Sequence, residues 1–381
     1  MTENLLFHRA ELEAQGRPRS NHLFYGDNLT IMRNLPSGCV DVIYLDPPFN
    51  SQRTYNLIYK QMTGLPVPEQ EEAFCDAWEL DPEKEEMARR MPIVLRDYGV
   101  DESLVLFWQA WITALRNTQP RLLAYLIYMT YRLFEMRRLL RPTGSIYLHC
   151  DPTASHYIKV ILDGVFGHQN FRNEIIWKRT SAHSSAKRYG PIHDILLFYS
   201  KSDVFTWNRQ YQSYDQNYLA SHYRNKDEDG RAFTLSDLTA AGTRQGSSGR
   251  PWRGFDPASK GNHWKFTIEN LERLDNEGRI YWPLKGGWPR YKRYLDEVKG
   301  IPIQDIWMDI DPLNSQAHER LGYQTQKPVA LLRRIIEASS REGDVLFDPF
   351  CGCGTAIYAA HLLKRRCDWL RYCHPIRAHR P

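Results

Sequence analysis

Four apolar residues, Val42-Ile43-Tyr44-Leu45, run directly into Asp46-Pro47-Pro48-Phe49-Asn50. No other stretch narrows so far what this chain can fold into. The apolar run suits a buried strand. Proline has no amide hydrogen for a sheet ladder, so the turn begins at Pro47. A carboxylate, a stiff turn and an aromatic then stand at the carboxyl end of a buried strand, where open α/β sheets place their ligands. Taken alone, the stretch fits an inert loop equally well. The rest of the chain has to decide.

The pattern around it alternates. Leu29–Leu35 reads as a short helix, and Val40–Leu45 as the strand that feeds the turn. Ser103–Arg116 and Arg121–Leu140 carry apolar residues at helical spacing, the second with Leu122, Leu126, Met129, Leu133, Met136 and Leu140 as its stripe. Arg141-Pro142-Thr143-Gly144 is expected to stop that helix. Ser145–His149, Glu174–Trp177 and Asp194–Tyr199 read as further strands, with a helix at His156–Phe166. Strands alternating with helices predict an α/β fold with a doubly wound, mostly parallel sheet.

Two segments break the alternation. Residues 61–90 hold nine acids against three bases and no clear period, and are expected to be a solvated insertion. Residues 201–320 mix glycine, proline, tryptophan and charge without a period, and are expected to be a loop-rich module inserted into the sheet domain. Residues 175–265 hold fourteen Lys/Arg against eight Asp/Glu, interleaved with Tyr, Trp and His. That composition suits a nucleic-acid partner better than plain solvation. The chain as a whole is only mildly basic, at +5 over 381 residues, which permits such a partner without requiring one.

Cysteine usage points away from an oxidising compartment. Seven scattered thiols do not make a disulfide framework, and neither Cys351-Gly352-Cys353 nor Cys367/Cys373 has zinc spacing. No metal site is expected. The first residues lack a signal-peptide core, and the longest apolar run, Leu122–Tyr131, is far short of a bilayer span. A soluble, cytoplasmic protein is expected.

The α/β pattern returns at Thr325-Gln326-Lys327-Pro328, with a helix over Val329–Ser339 and a strand over Val345–Phe347. That strand leads into Asp348-Pro349-Phe350-Cys351-Gly352-Cys353-Gly354-Thr355 and a helix over Ala356–Leu363. Glycines at 352 and 354 let the backbone approach a ligand closely, and amides at the helix start can face it. The turn is not a dinucleotide fingerprint, because no third glycine follows, and not a P-loop, because no Gly-Lys-Ser/Thr follows.

Two Asp-Pro turns after apolar strands, Asp46–Phe49 and Asp348–Thr355, resemble those of the S-adenosylmethionine-dependent DNA amino-methyltransferases. Their order, with the catalytic motif first, a recognition module between and the cofactor turn last, resembles the circularly permuted β class. Gly26-Asp27, Gly144–His149, Asn173–Lys178, His193–Lys201 and Thr325–Pro328 extend the likeness over roughly residues 22–200 and 322–366. The resemblance implies a permuted Rossmann-like methyltransferase domain. Its catalytic half would be 20–200, its target-recognition module 201–320 and its cofactor-binding half 321–381.

It implies roles as well. Asp46 and the carbonyl of Pro47 would accept the two N–H groups of an exocyclic amine, within the Asp46-Pro47-Pro48-Phe49 motif. Phe49 would stack on a base rotated out of the duplex. S-adenosylmethionine would lie over Asp348, Phe350, Gly352, Gly354 and Thr355, with Asp27 toward its adenine and Thr325, Gln326, Lys327 and Pro328 toward its methionine. Lys178, Arg179, Lys187, Arg188, Arg250 and Arg253 are the DNA-binding candidates. No Pro-Cys dipeptide occurs, which separates the chain from the cytosine-C5 enzymes.

Double-stranded DNA is the implied partner, and a homodimer and a cognate restriction endonuclease stay open. Adenine N6 is the expected acceptor. Cytosine-N4 members often carry serine where Asp46 stands, and Asn50 resembles the adenine enzymes. Cytosine N4, or a DNA-binding remnant without catalysis, are the alternatives. RNA- and protein-glutamine methyltransferases usually carry Asn-Pro-Pro-Tyr and rank last.

One departure stands out. The family normally continues past the cofactor helix into a second strand that ends in an acid for the cofactor ribose. Here the acid's place falls on or near Arg371, with Asp368 the only acid nearby. The Arg/His/Pro-rich change after Arg366 is expected to reflect a shifted frame or truncation, to leave one sheet edge ragged and to weaken cofactor binding. No helix is expected over 374–381.

Overall fold

Apolar runs bounded by proline, glycine and helix caps become the eight strands of one sheet in the computed structural model. It describes residues 21–47, 54–56, 72–75, 78–181, 187–314, 317–321, 323 and 325–371, with backbone alone for 25, 54–56, 72–75 and 367–371. The strands are β1 (His22–Tyr25), β2 (Val40–Leu45), β3 (Leu140–Cys150), β4 (Phe171–Lys178), β5 (His193–Ser200), β6 (Ile306–Trp307), β7 (Val345–Asp348) and β8 (Arg366–Arg371). Their spatial order is β1-β8-β7-β2-β3-β5-β4-β6. Only β5 runs against its neighbours; the other pairings are parallel. This is the mostly parallel, doubly wound sheet expected.

Helices cover both faces. α1 (Asn28–Asn34), α2 (Pro82–Asp97), α3 (Glu102–Thr118), α4 (Pro120–Leu139) and α5 (Ser155–Phe166) pack on one another on one side. α6 (Val329–Ser339) and α7 (Thr355–Leu362) pack together, with α6 against β3. Strand side chains alternate between faces, so Ile43 and Leu45 join the core beneath α1–α5. α4 is buried nearly all round, the mark of a helix inside a domain.

Two expectations are corrected. Residues 61–90 are not wholly a solvated excursion: α2 begins at Pro82, and Ala88, Met91 and Leu95 pack into the core. The acids that hid this period serve the helix instead. Asp81 caps it by accepting from the Lys84 amide, and Glu83 and Glu85 lie in its first turn, where carboxylates are favoured.

The helix expected to stop at Arg141–Gly144 does stop just before it. α4 has ended by Leu139, and the segment bulges within β3, between the Val40–Leu140 and Val42–Ser145 pairings. A Cβ on Gly144 would stand 2.8 Å from Leu140 Cδ2, 3.0 Å from the carbonyl oxygen of Asp41 and 3.1 Å from that of Arg141, so a larger residue would force the bulge to shift.

Finally, β8 leaves no ragged edge. It lies inside the sheet, with β1 on one side and β7 on the other. Residues 374–381 lie outside the described residues.

A second compact unit spans Tyr211–Ile303. Arg290–Tyr294 is central in its antiparallel sheet, pairing with Ala232–Asp237 and Ile280–Tyr281. Its core gathers Leu238, Trp252, Trp264, Leu271, Leu274 and Ile280. Trp252 meets Trp264 edge-to-face at 5.8 Å. Large rings fill this small core without long regular elements, which is why no period betrays it. Residues 201–210 and 304–320 belong to the first unit. Among the described residues no helix is long and apolar enough to cross a membrane.

Candidate active site

β2 and β7 are parallel neighbours, with Phe347 opposite Ile43. Both Asp-Pro turns therefore leave the same end of the sheet, Asp46 after β2 and Asp348 closing β7. The Lys327 ammonium meets Asp46 Oδ2 at 2.5 Å. The other carboxylate oxygen, Oδ1, is closed off from solvent, and no group among the described residues donates to it. A buried polar atom without a partner carries the full cost of its desolvation, and a donor from outside would relieve it.

Asp348 is buried, and its Oδ1 accepts the Phe350 amide at 3.0 Å. Burial first, and then the charge of Asp46, push its carboxyl up to about 8. Two neighbouring acids thus divide their behaviour by environment: Asp46 has an ammonium beside it, while Asp348 favours its proton.

The turn between β7 and α7 needs its glycines. Gly352 has φ +52° and Gly354 φ +87°, the left-handed region other residues resist. A Cβ on Gly352 would also lie 3.2 Å from the Tyr323 ring. Gly354 caps α7 without a side-chain bond, so the first-turn amides are not taken up by a capping side chain. Such a cradle fits a bound nucleoside-type ligand.

Behind Asp46 a buried polar chain crosses the sheet. The Tyr44 hydroxyl is 3.0 Å from His149 Nδ1, and His149 Nε2 is 3.0 Å from Asp194 Oδ2. Arg179 lies 3.4 Å from Asp194 Oδ1. Burial alone would raise the Asp194 carboxyl, but the His149 bond and the positive charges around it, Lys327 and Arg179 included, hold it below the usual range. Burial, with Asp46 second, lifts the Tyr44 hydroxyl well above its ordinary value.

Against this geometry stand the comparisons with known proteins. The DNA methylase family of N6 and N4 methyltransferases matches residues 40–368. The chain belongs to that family. The type II methyltransferase M.EcaI of Enterobacter cloacae is 38% identical over 244 residues, covering 64% of this chain and 53% of that protein. M.BamHI of Bacillus amyloliquefaciens is 36% identical over 351 residues, 92% of this chain and 53% of its own length. The type III StyLTI Mod subunit of Salmonella typhimurium is 24% identical over 370 residues, 92% of this chain and 51% of that one. The chain spans about half the length of these relatives. The solved cytosine-N4-specific PvuII DNA methyltransferase matches loosely, with TM-score 0.40 and 12% identity over 94% of this chain and 84% of that one.

Within this family member, several residues singled out from sequence come together. Asp46, Pro47, Asp348, Phe350, Gly352, Gly354 and Thr355 share the end of β2 and β7, and Lys327 joins them through Asp46. Pro48 and Phe49 lie outside the described residues. Asp27 caps α1 with Oδ1 and pairs with Arg132 at 2.6 Å through Oδ2. Thr325 offers its carbonyl to Lys327 at 3.5 Å, and Pro328 opens α6. Gln326 turns toward the preceding segment, donating to the Glu319 carbonyl at 2.6 Å.

The DNA-binding candidates separate. Arg179 faces Asp194, and Arg253 is engaged at 2.8 Å with both Glu272 and Asp275. Lys178, Lys187, Arg188 and Arg250 are exposed.

Sequence reasoning missed Arg132, Tyr323 and the roles of His149 and Asp194. The signal for the last two was a charged or titratable residue set in or beside a fully apolar strand. Among the described residues no group of three or more His, Cys, Asp or Glu is arranged to hold a metal ion.

Proposed function

We propose that this methylase transfers a methyl group from S-adenosylmethionine to the exocyclic amino group of a DNA base, with adenine N6 as the acceptor. The observation that supports it most is the buried Oδ1 of Asp46, without a donor among the described residues, at the same sheet end as a glycine cradle. An exocyclic amine is a weak nucleophile because its lone pair is delocalised into the ring. Asp46 Oδ1 accepts one of its hydrogens and the Pro47 carbonyl the other, which favours the pyramidal nitrogen that attacks. S-adenosylmethionine supplies the methyl group as a sulfonium and leaves as a neutral thioether. As the new N–C bond forms and the C–S bond breaks, the surplus proton on nitrogen departs through the hydrogen bond to Asp46.

Gly352, Gly354, Thr355, Phe350 and Asp348 are the residues that would hold the cofactor, and Phe49 the ring that would stack on the base. Holding donor and amine in line accounts for much of such a rate. Double-stranded DNA is the proposed substrate. The Tyr211–Ile303 unit is the proposed target reader, and a restriction–modification setting fits the relatives' names. Adenine is preferred over cytosine because Asp46, rather than serine, heads the motif.

Labelled-methyl transfer to genomic DNA, with analysis of the nucleosides, tests this. Label is expected in N6-methyladenine. Label in N4-methylcytosine would move the acceptor, and no labelled base would sink the reading. Asp46→Ala is expected to cut the rate roughly 100-fold or more, in the range found for single transition-state contacts.

A DNA-binding remnant is the second reading, and one observation favours it. Arg371, opposite Tyr25, closes β8 where an acid for the ribose is expected, and Asp368 sits back in the strand opposite Phe347. Calorimetry separates the two: DNA binding without measurable S-adenosylmethionine binding would select the remnant.

A further inference from the structure

The carboxylate of Asp46 is not symmetric. One oxygen carries an ammonium at 2.5 Å, and the other is buried with no donor among the described residues. A free aspartate can rotate about its side-chain torsions and exchange its two oxygens. One whose Oδ2 is pinned cannot do so without breaking a charge-assisted bond. The pin is itself well placed. Lys327 is only 10% exposed, it stands directly before Pro328 at the start of α6, and its ammonium also lies 3.5 Å from the Thr325 carbonyl. α6 is anchored to the sheet by the 2.6 Å bond between the Tyr147 hydroxyl and Ser339 Oγ. The lysine therefore reaches Asp46 from the short segment that leads into α6, a helix whose far end is tied to the sheet.

We propose that Lys327 is a positioning residue of the transfer site, holding Oδ2 of Asp46 so that Oδ1 is presented to the amino group of the base. This rests on the reading of the chain as an amino-methyltransferase, and it gives Lys327 a different task from the cofactor contact that the sequence resemblance implies. The charge arrangement agrees. Asp46 and Asp348 stand close enough for the charge of one to act on the other, and two ionised carboxylates in one buried place are costly. The ammonium offsets the charge of Asp46, so an uncharged amine meets a neutral pair. Asp194 lies within reach of the lysine's charge, and is held in turn by His149 at 3.0 Å. Lys327 thus feels two acids, Asp46 just after β2 and Asp194 on β5.

The test uses the full chain with unmethylated genomic DNA as acceptor. Turnover at saturating S-adenosylmethionine, KM for DNA and the calorimetric Kd for the cofactor are compared in wild type, Lys327→Met and Lys327→Arg. For Lys327→Met, turnover is expected to fall at least 100-fold while KM and Kd stay within threefold. Lys327→Arg, which keeps the charge, is expected to recover at least a tenth of the wild-type turnover.

A Kd that rises tenfold or more with turnover at saturation retained would make Lys327 a cofactor contact and overturn the proposal. Turnover within threefold of wild type would overturn it as well. Should Lys327→Met fail to fold, 15N-lysine NMR of the wild-type chain decides. A slowly exchanging side-chain ammonium signal that moves on Asp46→Asn is expected, and its absence overturns the pin. If the wild-type chain labels no DNA base, the transfer reading falls and the pin with it. If it labels DNA and Lys327→Met does so equally well, the pin falls alone.

Discussion

The side-chain amide of Asn28 donates to the carbonyl of Pro349 at 3.1 Å, joining the first helix of the fold to the glycine turn 321 positions later. Arg132 completes the link, donating to Asn28 Oδ1 at 2.6 Å while its guanidinium lies 3.3 Å over the Tyr128 ring. Both ends of the proposed cofactor site are thereby held by one buried asparagine.

Asn28→Ala leaves the Pro349 carbonyl and the Arg132 guanidinium short of a partner. It is expected to cost about 1–3 kcal/mol of stability and to weaken S-adenosylmethionine binding roughly tenfold, about 1.4 kcal/mol. Asn28→Asp keeps an acceptor for Arg132 but loses the donor to Pro349, and is expected to share the binding defect with less loss of stability. Calorimetry and urea unfolding on the two variants check this. Unchanged cofactor affinity in both would remove Asn28 from the site.

Asp348 predicts a pH dependence. Its carboxyl lies near 8 in the fold against an ordinary 3.8, so between those values the folded state keeps a proton that the unfolded state has lost. The stabilisation is full below about pH 4 and is lost as pH rises through about 8. Asp348→Asn, neutral at every pH and still able to accept from the Phe350 amide, is expected to lose this slope. The difference in unfolding free energy between pH 5 and pH 8 should be smaller in the variant by a few kcal/mol, on the scale of about 1.4 kcal/mol per pK unit. Equal pH dependence in the two proteins would contradict it.

Asp194 carries the opposite sign. Its carboxyl lies below the usual range, so its contribution is present above that range and is lost as pH falls through it. Asp194→Ala leaves His149 and Arg179 facing an empty acceptor site, and is expected to destabilise the chain by about 3–5 kcal/mol. Asp194→Asn, which can still accept from His149, should cost less. Denaturation at neutral pH measures both, and equal losses would show that charge alone matters there.

The second unit makes a separable prediction. Trp264 is fully buried among Trp252, Trp282 and Trp288, and donates from its indole to the Arg250 carbonyl at 2.9 Å. Trp264→Ala is expected to cost about 3–5 kcal/mol. Hydrogen exchange should show lost protection concentrated in 211–303, with the sheet of the first unit retained. Uniform loss across both units would mean that they unfold as one.

Much of the first unit was legible because its elements announce themselves locally. Val40–Leu45 is apolar throughout and ends at prolines, and Leu122–Leu139 has a stripe too regular to miss. α2 was not legible, because the charged residues that cap and solvate a helix are also those of a surface loop, and here they outnumber the apolar period. The tryptophan core of the second unit was hidden for another reason. Its rings come from short strands and irregular turns, so they meet only after the chain has folded.

The sequence by itself determined the two Asp-Pro turns, the glycines that only one backbone conformation accommodates, and the family to which they point. Each is a property of a few consecutive residues. Tertiary structure alone decided that Lys327 belongs to Asp46, that Asn28 belongs to Pro349, and that β8 sits inside the sheet. Those are pairings between residues hundreds of positions apart. Parallel strand order brings them together, and parallel strands pair through long crossovers that leave no local mark in the residues they join.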